Sequence, residues 1–407
     1  MNVLVINCGS SSIKYAVYAM PSANLAAKGI VDRIGQKPSW HKYEHGGGKQ
    51  TQEVEVDDHR QGIRLILDRV LDAKVGLVKG DGVIDAVGHR VVHGGDIDRD
   101  AVLIDGQIMA VIEKFAPMAP LHNPPDLMAI QAVTERMNDV PQVACFDTAF
   151  HQTMAQEAYL YGLPVRFYEE YGVRRYGFHG ISHHFVSKRA AGILGRPIGE
   201  LNAITCHLGN GCSVTAIRNG RSVDTSMGLT PLEGLLMGTR AGDIDPGALF
   251  YLMDRGIEPQ ELRTIMNNES GLLGLSGVSP DMRDILRAVS QGDEKAELAL
   301  RVFCYRLRKY IGAYVAVLGD LHALVFTGGI GENTPEVRRR ACADMRHLGI
   351  EIDAGKNKAA VGRQGDISTD QSMAKVLVIP TDEELAIAGD AYRLLTNRAA
   401  VTAAESS

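Results

Sequence analysis

The chain has 407 residues, 45% of them hydrophobic, which at ~150 residues per domain is enough for two or three domains; we expect two. Its 43 basic and 49 acidic residues are mixed along the sequence, net charge -6, leaving no basic face for nucleic acid or an anionic membrane and favouring a small-molecule partner. Six cysteines (Cys8, Cys145, Cys206, Cys212, Cys304, Cys342) stand far apart without a C-x-x-C pair, and no uncharged apolar run reaches the ~18 residues of a membrane span, so a soluble cytoplasmic protein with reduced thiols is expected.

Residues 1–6 form an apolar run that enters "NCGSSSIK" (7–14). A glycine, three serines and a lysine suit a phosphate cradle, but the second glycine of G-x-x-x-x-G-K-[ST] is missing, and the alternation Ile13/Tyr15/Val17 predicts a strand where a P-loop has a helix. The stretch is thus a hairpin. Its hydroxyls and amides could converge on an anion with Lys14 beside them, or it could be an ordinary turn, since turns favour the same residues.

A second strand is expected in "VGHRVVHGG" (87–95), where His89 and His93 would lie ~13 Å apart and could not pair on zinc. Arg90 there carries a fork matched to a carboxylate or phosphate, or to a structural ion pair. "QVACFDTAFHQTM" (142–154) places Asp147 at a strand end, as a helix cap or a catalytic carboxylate. "RRYGFHGISHH" (174–184) concentrates Arg, Tyr and three His around two glycines in what reads as a loop.

The opening pattern recurs half a chain later. Residues 201–206 lead into "HLGNGCS" (207–213), a strand over 214–217, an Asn219-Gly220 hairpin and a further strand over 222–225. Gly9 and Gly209 occupy comparable places, which points to a duplicated core with one hairpin from each half facing a nucleotide. "MGLTPLEGLLMGTRAGDIDPG" (227–247) carries Arg240 in a loop, with Asp243 and Asp245 as turn formers. "SPDMRD" (279–284) predicts a helix capped by Ser279. "TGGIGEN" (327–333) predicts a loop between a strand and a helix starting at Pro335 with Thr334 as cap; a dinucleotide fingerprint would need glycine at 334. Finally, "VLVIPTDEELAIAGDAY" (376–392) passes from strand to helix through an acidic first turn that suits the helix dipole.

In this order and spacing the segments resemble the acetokinase family, within the superfamily of actin, sugar kinases and heat-shock-chaperone ATPases. The resemblance implies an α/β protein of two duplicated actin-like (ribonuclease H-like) domains around a nucleotide cleft, residues 1–148 with 385–400 and residues 149–384, followed by a flexible tail, 401–407. It implies reversible transfer of the ATP γ-phosphoryl group to acetate, giving acetyl phosphate and ADP, with Mg²⁺ and a homodimeric assembly. His207, Leu208, Gly209, Asn210 and Gly211, Asp281, Met282 and Arg283, and Gly329, Ile330, Gly331, Glu332 and Asn333 would hold ATP, with Lys14 near its phosphates. Asn7 and Glu383 would position the metal. Arg90 and Arg240 would grip the carboxylate and the phosphoryl group, His179 would touch the latter, and Asp147 would act as acid/base or positioning residue. Val92, Leu121, Phe178 and Pro231 would receive the methyl group. Ile181, His184 and Ala241 depart from the residues common in the family. The alternatives are a propionate or butyrate kinase, which would change only the apolar pocket, and, more remotely, a chaperone- or actin-like ATPase without an acyl acceptor.

Overall fold

The opening run becomes β1 (Asn2–Cys8), which turns into the antiparallel β2 (Ser12–Ala19), with Asn7 opposite Lys14 and Cys8 opposite Ile13. The structure, a computed structural model, describes residues 1–46, 48–72 and 83–405. It divides into two units, Met1–Ala149 with Asp382–Ser407, and Phe150–Thr381. Glu383 and Glu384 therefore open a helix of the first unit, earlier than the boundary drawn from sequence at residue 385.

In the first unit the sheet continues with β3 (Asn24–Asp32), β4 (Ser39–His45), β5 (Gly48–Val54), β6 (Ala86–Val91), β7 (Val102–Leu103) and β8 (Gln142–Phe146). Their order is β5-β4-β3-β2-β1-β6-β8-β7. Only β1, β6 and β8 run parallel to one another. Leu4, Ile6, Ile13 and Tyr15 bury one face of the sheet against Ile63, Ile66 and Leu67 of helix His59–Leu71 and Ala129 and Val133 of helix Asn123–Arg136. Helix Glu383–Glu405 packs along β1, β6 and β2, and it comes so near β6 that a Cβ on Gly88 would lie 2.6 Å from Ile387 Cγ2.

The second unit contains β9 (Ala203–Leu208), β10 (Cys212–Arg218), β11 (Arg221–Thr225), β12 (Ala323–Thr327), β13 (Gly365–Asp366) and β14 (Lys375–Val378) in the order β11-β10-β9-β12-β14-β13. Reading β9, β10, β11, β12, β14 and β13 for β1, β2, β3, β6, β8 and β7 makes the two orders coincide, with the same sense at every pairing. The duplication inferred from the two glycine turns is therefore present in the connectivity of the sheets, and the fold is the actin-like α/β type that the resemblance implied. Strands β4 and β5 extend only the first sheet. On β9, β12 and β14, Ala203, Ala323, Val325 and Leu377 pack with Val186 and Ala190 of helix Gly180–Ile193. Such continuous apolar runs are what a parallel strand covered by helices requires.

Local expectations are corrected at four places. Gly328–Asn333 is itself a helical turn, and Thr334 precedes Pro335 without a side-chain cap bond. Asp281, not Ser279, caps helix Met282–Ser290 by accepting from Arg283 N; Ser279 Oγ instead donates to Asp284 Oδ2 at 2.9 Å. The loop containing "RRYGFHG" ends at His179, and helix Gly180–Ile193 takes in the rest of that segment. The last helix continues to Glu405 through much of the expected tail, as its alanines allow, while residues 406–407 lie outside the described part. All six cysteines are buried and free. Among the described residues no helix is long and apolar enough to cross a membrane.

The Asn219-Gly220 turn has φ of 51° and 74°, the left-handed pair that a two-residue hairpin demands. A Cβ on Gly220 would lie 2.5 Å from the Ile198 carbonyl oxygen. Gly220→Ala is therefore expected to destabilise the second unit by about 1–3 kcal/mol. By contrast Gly312→Ala, inside helix Glu294–Leu318 with nothing within 4 Å of its Cβ position, should stabilise by about 0.5–1 kcal/mol. Urea unfolding midpoints of the two variants check both signs.

Candidate active site

In the first unit the carboxyl ends of the parallel strands gather charge, the usual place for ligands in such sheets. Arg90 lies near the end of β6, and Asp147 directly follows β8. The guanidinium donates to both oxygens of Asp147, from Nη2 at 2.5 Å and from Nε at 3.3 Å, and from Nη1 to Asn7 Oδ1 at 3.2 Å. Glu383 Oε2 is 3.6 Å from Nε, and Asn7 Nδ2 donates to Glu384 Oε1 at 3.3 Å. Burial opposes the charge on Arg90, but Asp147 and then Glu383 outweigh it and hold the guanidinium above the usual arginine range. Asp147 is thus an arginine partner. The acidic turn divides its labour: Asp382 Oδ1 accepts from Leu385 N at 2.9 Å and from the Tyr18 hydroxyl at 3.1 Å, Glu383 faces Arg90, and Glu384 holds Asn7.

One group here escaped sequence reasoning. Asp126, in the first turn of helix Asn123–Arg136, is only 2% exposed, and its Oδ2 has no hydrogen-bond partner. Burial pushes its pKa well above the carboxylate range despite Arg90. An acidic residue two positions past Asn-Pro reads as a dipole complement, so nothing local distinguished it. Of the remaining expected residues in this unit, Lys14 is exposed on β2 opposite Asn7, Val92 is buried, and Leu121 is 52% exposed.

In the second unit His179, Arg240 and the "HLGNG" turn come together. A Cβ on Gly211 would lie 3.4 Å from His179 Cε1 and 3.6 Å from Arg240 Nη1, so Gly211 stands beside both the imidazole and the guanidinium. His179 adopts φ 58°, takes the N-cap position of helix Gly180–Ile193 without a side-chain cap bond, and stacks on His207 with ring centroids 4.2 Å apart. Ser213 Oγ meets His179 Nδ1 at 2.9 Å and His183 Nε2 at 2.7 Å, and His183 Nδ1 meets Thr205 Oγ1 at 2.7 Å. Burial keeps His183 well below the usual histidine pKa, so His183 enters this chain of polar groups as a neutral ring, and Ser213 Oγ links it to His179 Nδ1. His151 is likewise lowered to about 4 by burial. As a neutral ring it donates from Nε2 to the Phe178 carbonyl at 3.0 Å, which leaves Nδ1 to accept from Ser222 Oγ at 2.9 Å. Phe178 itself is 1% exposed. Arg240 Nη1 donates to the Pro231 carbonyl at 3.2 Å, and among the described residues of this unit no carboxylate pairs with it; burial lowers its pKa below the arginine norm.

The expected nucleotide residues fall into two groups. Asn210 is exposed at the turn, with its carbonyl accepting from Gly238 N at 3.0 Å. Asp281 and Arg283 pair with each other at 2.5 Å, the arginine side chain being 85% exposed and able to lie on a flat ring. Glu332, in contrast, is turned inward: Oε1 accepts from Gly328 N at 2.9 Å and Thr381 N at 3.1 Å, so it shapes the loop. Beneath that turn lies Arg338, which the sequence reading placed only within the helix expected from Pro335. Arg338 is fully buried and donates to the carbonyls of Gly331, Glu332, Asn357 and Ala360 and to Asn357 Oδ1. Its helical register with the buried Val337, Ala341 and Cys342 was a readable signal. Burial lowers its pKa to about 10.

Two α/β units of one topology, one carrying an arginine–carboxylate cluster and the other glycine turns beside a histidine and a guanidinium that pairs with no carboxylate among the described residues of its unit, fit the phosphotransferase class. Residues 2–389 match the Acetokinase family, and the chain belongs to it. It is 51% identical to the acetate kinase of Thermotoga maritima over 97% of this chain and 99% of that one. Among solved structures it is similar to Porphyromonas gingivalis acetate kinase, with 44% identity, a TM-score of 0.91, and coverage of 97% and 99% of the two chains. It is also similar to a propionate kinase from Francisella tularensis, at 38% identity, TM-score 0.90, and coverage of 96% and 99%.

Asp126 gives a stability test whose sign follows from linkage. With its folded pKa raised above the unfolded value of ~3.9, the folded state holds the proton more tightly, so stability is highest below that pH and falls as pH rises through the window above it. Asp126→Asn is expected to raise the melting temperature at pH 7 and to confer no gain below about pH 4. Thermal unfolding of both forms at the two pH values decides it.

Proposed function

We propose that this chain is an acetate kinase that transfers the γ-phosphoryl group of ATP to acetate, reversibly, giving acetyl phosphate and ADP. The observation that carries the proposal is the Arg240 guanidinium, held beside Gly211 and His179 without a carboxylate to neutralise it; membership of the family supplies the acceptor. A carboxylate with a pKa of ~4 is already ionised near neutral pH and needs no general base. The obstacle is repulsion between an anionic nucleophile and a polyanionic phosphate, so catalysis rests on positive charge fixed before the reactants arrive.

In this reading an acetate oxygen attacks the γ-phosphorus in line with the departing ADP oxygen. Arg240 takes charge on the transferring group, and His179, oriented through Ser213, donates to a phosphoryl oxygen. Arg90 meets the acyl carboxylate or phosphoryl oxygens, and Asp147 orients Arg90 through its two-point contact; the bidentate geometry favours this over proton transfer. His207 to Gly211, Asp281 to Arg283 and Gly329 to Asn333 would hold the nucleotide, with Lys14 close to its phosphates. Val92, Leu121, Phe178 and Pro231 would form the methyl pocket.

Asn7 and Glu383 offer oxygen donors, and Mg²⁺ commonly takes one or two protein ligands together with water and substrate phosphates, so these residues fit that ion. When bound it would neutralise phosphate charge. A cytoplasmic homodimer is the assembly and location that the family resemblance favours.

Trapping the acyl phosphate with hydroxylamine tests the activity directly: acetyl hydroxamate must form in an ATP-dependent manner. A propionate preference is the second reading, favoured by the likeness to the Francisella protein, and kcat/KM compared across acetate, propionate and butyrate decides between them. Arg90→Ala and Arg240→Ala should each lower kcat by ~10²–10³, and near-normal turnover in both would remove the arginines from the mechanism. For Asp147→Asn we expect reduced turnover with the acidic limb of the pH-rate profile retained; losing that limb while magnesium dependence stays unchanged would mean proton transfer instead.

A further inference from the structure

The segment that presents Pro231 and Arg240, residues 226–245, contains no helix or strand, although a catalytic guanidinium has to be placed to within about 0.5 Å. We infer that Arg175, Glu233 and Tyr161 are positioning residues which clamp this segment to the one carrying Phe178 and His179, and so set Arg240 and His179 relative to each other. The inference rests on the acetate kinase reading of those two residues and deepens it.

Arg175 stands four positions before His179 in the chain. Its Nη1 donates to three successive carbonyls where the segment leaves β11, Thr225 at 2.8 Å, Ser226 at 3.1 Å and Met227 at 3.1 Å. Its Nη2 donates to Glu233 Oε1 at 2.6 Å. The other oxygen of Glu233 accepts from the Tyr161 hydroxyl at 2.5 Å, and that hydroxyl in turn accepts from Leu229 N at 2.9 Å. The two segments also meet through backbone: Tyr176 N and Gly177 N both donate to the Gly228 carbonyl, at 3.1 and 3.2 Å. The carboxylate of Glu233 is folded under Gly228 so closely that a Cβ there would fall 1.8 Å from Oε2.

From Glu233 the constraint passes to Arg240 by the next residue. Gly234 N donates to Asp243 Oδ1 at 2.8 Å, Asp243 N returns a bond to the Gly234 carbonyl at 2.9 Å, and Tyr310 anchors the far oxygen of Asp243 at 2.7 Å. Residues 235–242, Arg240 among them, are enclosed by that double bond. Asp243 is thus more than a turn former. The Arg175 and Glu233 side chains are only 16% and 32% exposed, so their pairing is desolvated and costly to break from one side. A lysine at 175 could not span three carbonyls and a carboxylate at once.

The test compares Arg175→Met, Glu233→Ala, Glu233→Gln, Tyr161→Phe and the Arg175→Met/Glu233→Ala double variant. Rates are read as acetyl hydroxamate, and folding is checked by thermal unfolding. A positioning role predicts that Arg175→Met and Glu233→Ala each cut kcat/KM for acetate about tenfold or more, while the KM for ATP stays within about twofold. It also predicts that the double variant is no worse than the poorer single one, and that Glu233→Gln, which keeps an acceptor for Arg175, recovers most of the loss. Tyr161→Phe, which removes one hydroxyl and should fold normally, is expected to produce a smaller loss of the same kind. The inference is overturned if the two losses multiply, if ATP and acetate parameters fall together, or if Glu233→Gln is as poor as Glu233→Ala. Failure of the unaltered protein to form any acetyl hydroxamate would instead overturn the activity itself.

Discussion

A guanidinium withdrawn from water has to be answered by oxygens, and four arginines, one in the first unit and three in the second, are answered in four ways. Arg338 is met by carbonyls and an amide alone, and so becomes an internal strut beneath the "GIGEN" turn. Arg175 is met by three carbonyls and a carboxylate, which suits a joint between two segments. Arg90 is crowded by Asp147, Glu383 and, more distantly, Asp126, so that its surroundings are negative overall. Arg240 has one carbonyl in its own unit and no carboxylate. The first three are stabilised by the protein; the last has most to gain from an incoming anion.

The duplicated sheet explains where these groups stand. In each unit the residues of interest follow the same strands: Asn7 and the "HLGNG" turn at the ends of β1 and β9, Arg90 and "GIGEN" at the ends of β6 and β12, Asp147 and Thr381 beyond β8 and β14. One copy has filled those positions with polar and charged side chains, the other mainly with glycine turns. In the proposed reading the second copy carries the nucleotide turns together with His179 and Arg240, and the first carries Arg90 and Asp147. In each unit a helix starts beside these strand ends, Gly180–Ile193 directly after His179 and Glu383–Glu405 with Glu383 as its first residue.

Much of this was legible in the chain. The strand periods of residues 13–17 and 214–217, the Asn-Gly hairpin and the apolar runs before each glycine turn are local properties, and each produced the element it announced. Arg90 and Asp147 stood out at the ends of apolar runs, His179 in a loop dense in Arg, Tyr and His, and Arg240 in a glycine-flanked loop whose role the family resemblance supplied. Asp126, Arg175, Glu233, Ser213 and Arg338 did not, because each looks locally like something ordinary: a dipole complement, one of two arginines, a loop acid, a strand serine, part of a basic run. The misplaced caps at Ser279 and Thr334 have a similar cause, since which of several neighbouring oxygens reaches an amide depends on backbone torsions that composition does not specify.

By itself, the sequence determined the two-fold repeat of strand, turn and strand, the residue types available for binding anions, and the family, because those properties reside in period, spacing and order. Only the tertiary structure decided which charges neutralise one another. Arg90 meets Asp147 across 57 positions of chain and Arg175 meets Glu233 across 58, and pairings of that kind are set by sheet topology and burial rather than by anything adjacent in the sequence. The same tertiary environment leaves Arg240 without a carboxylate partner among the described residues of its unit, and its proposed role as anion receptor rests on that.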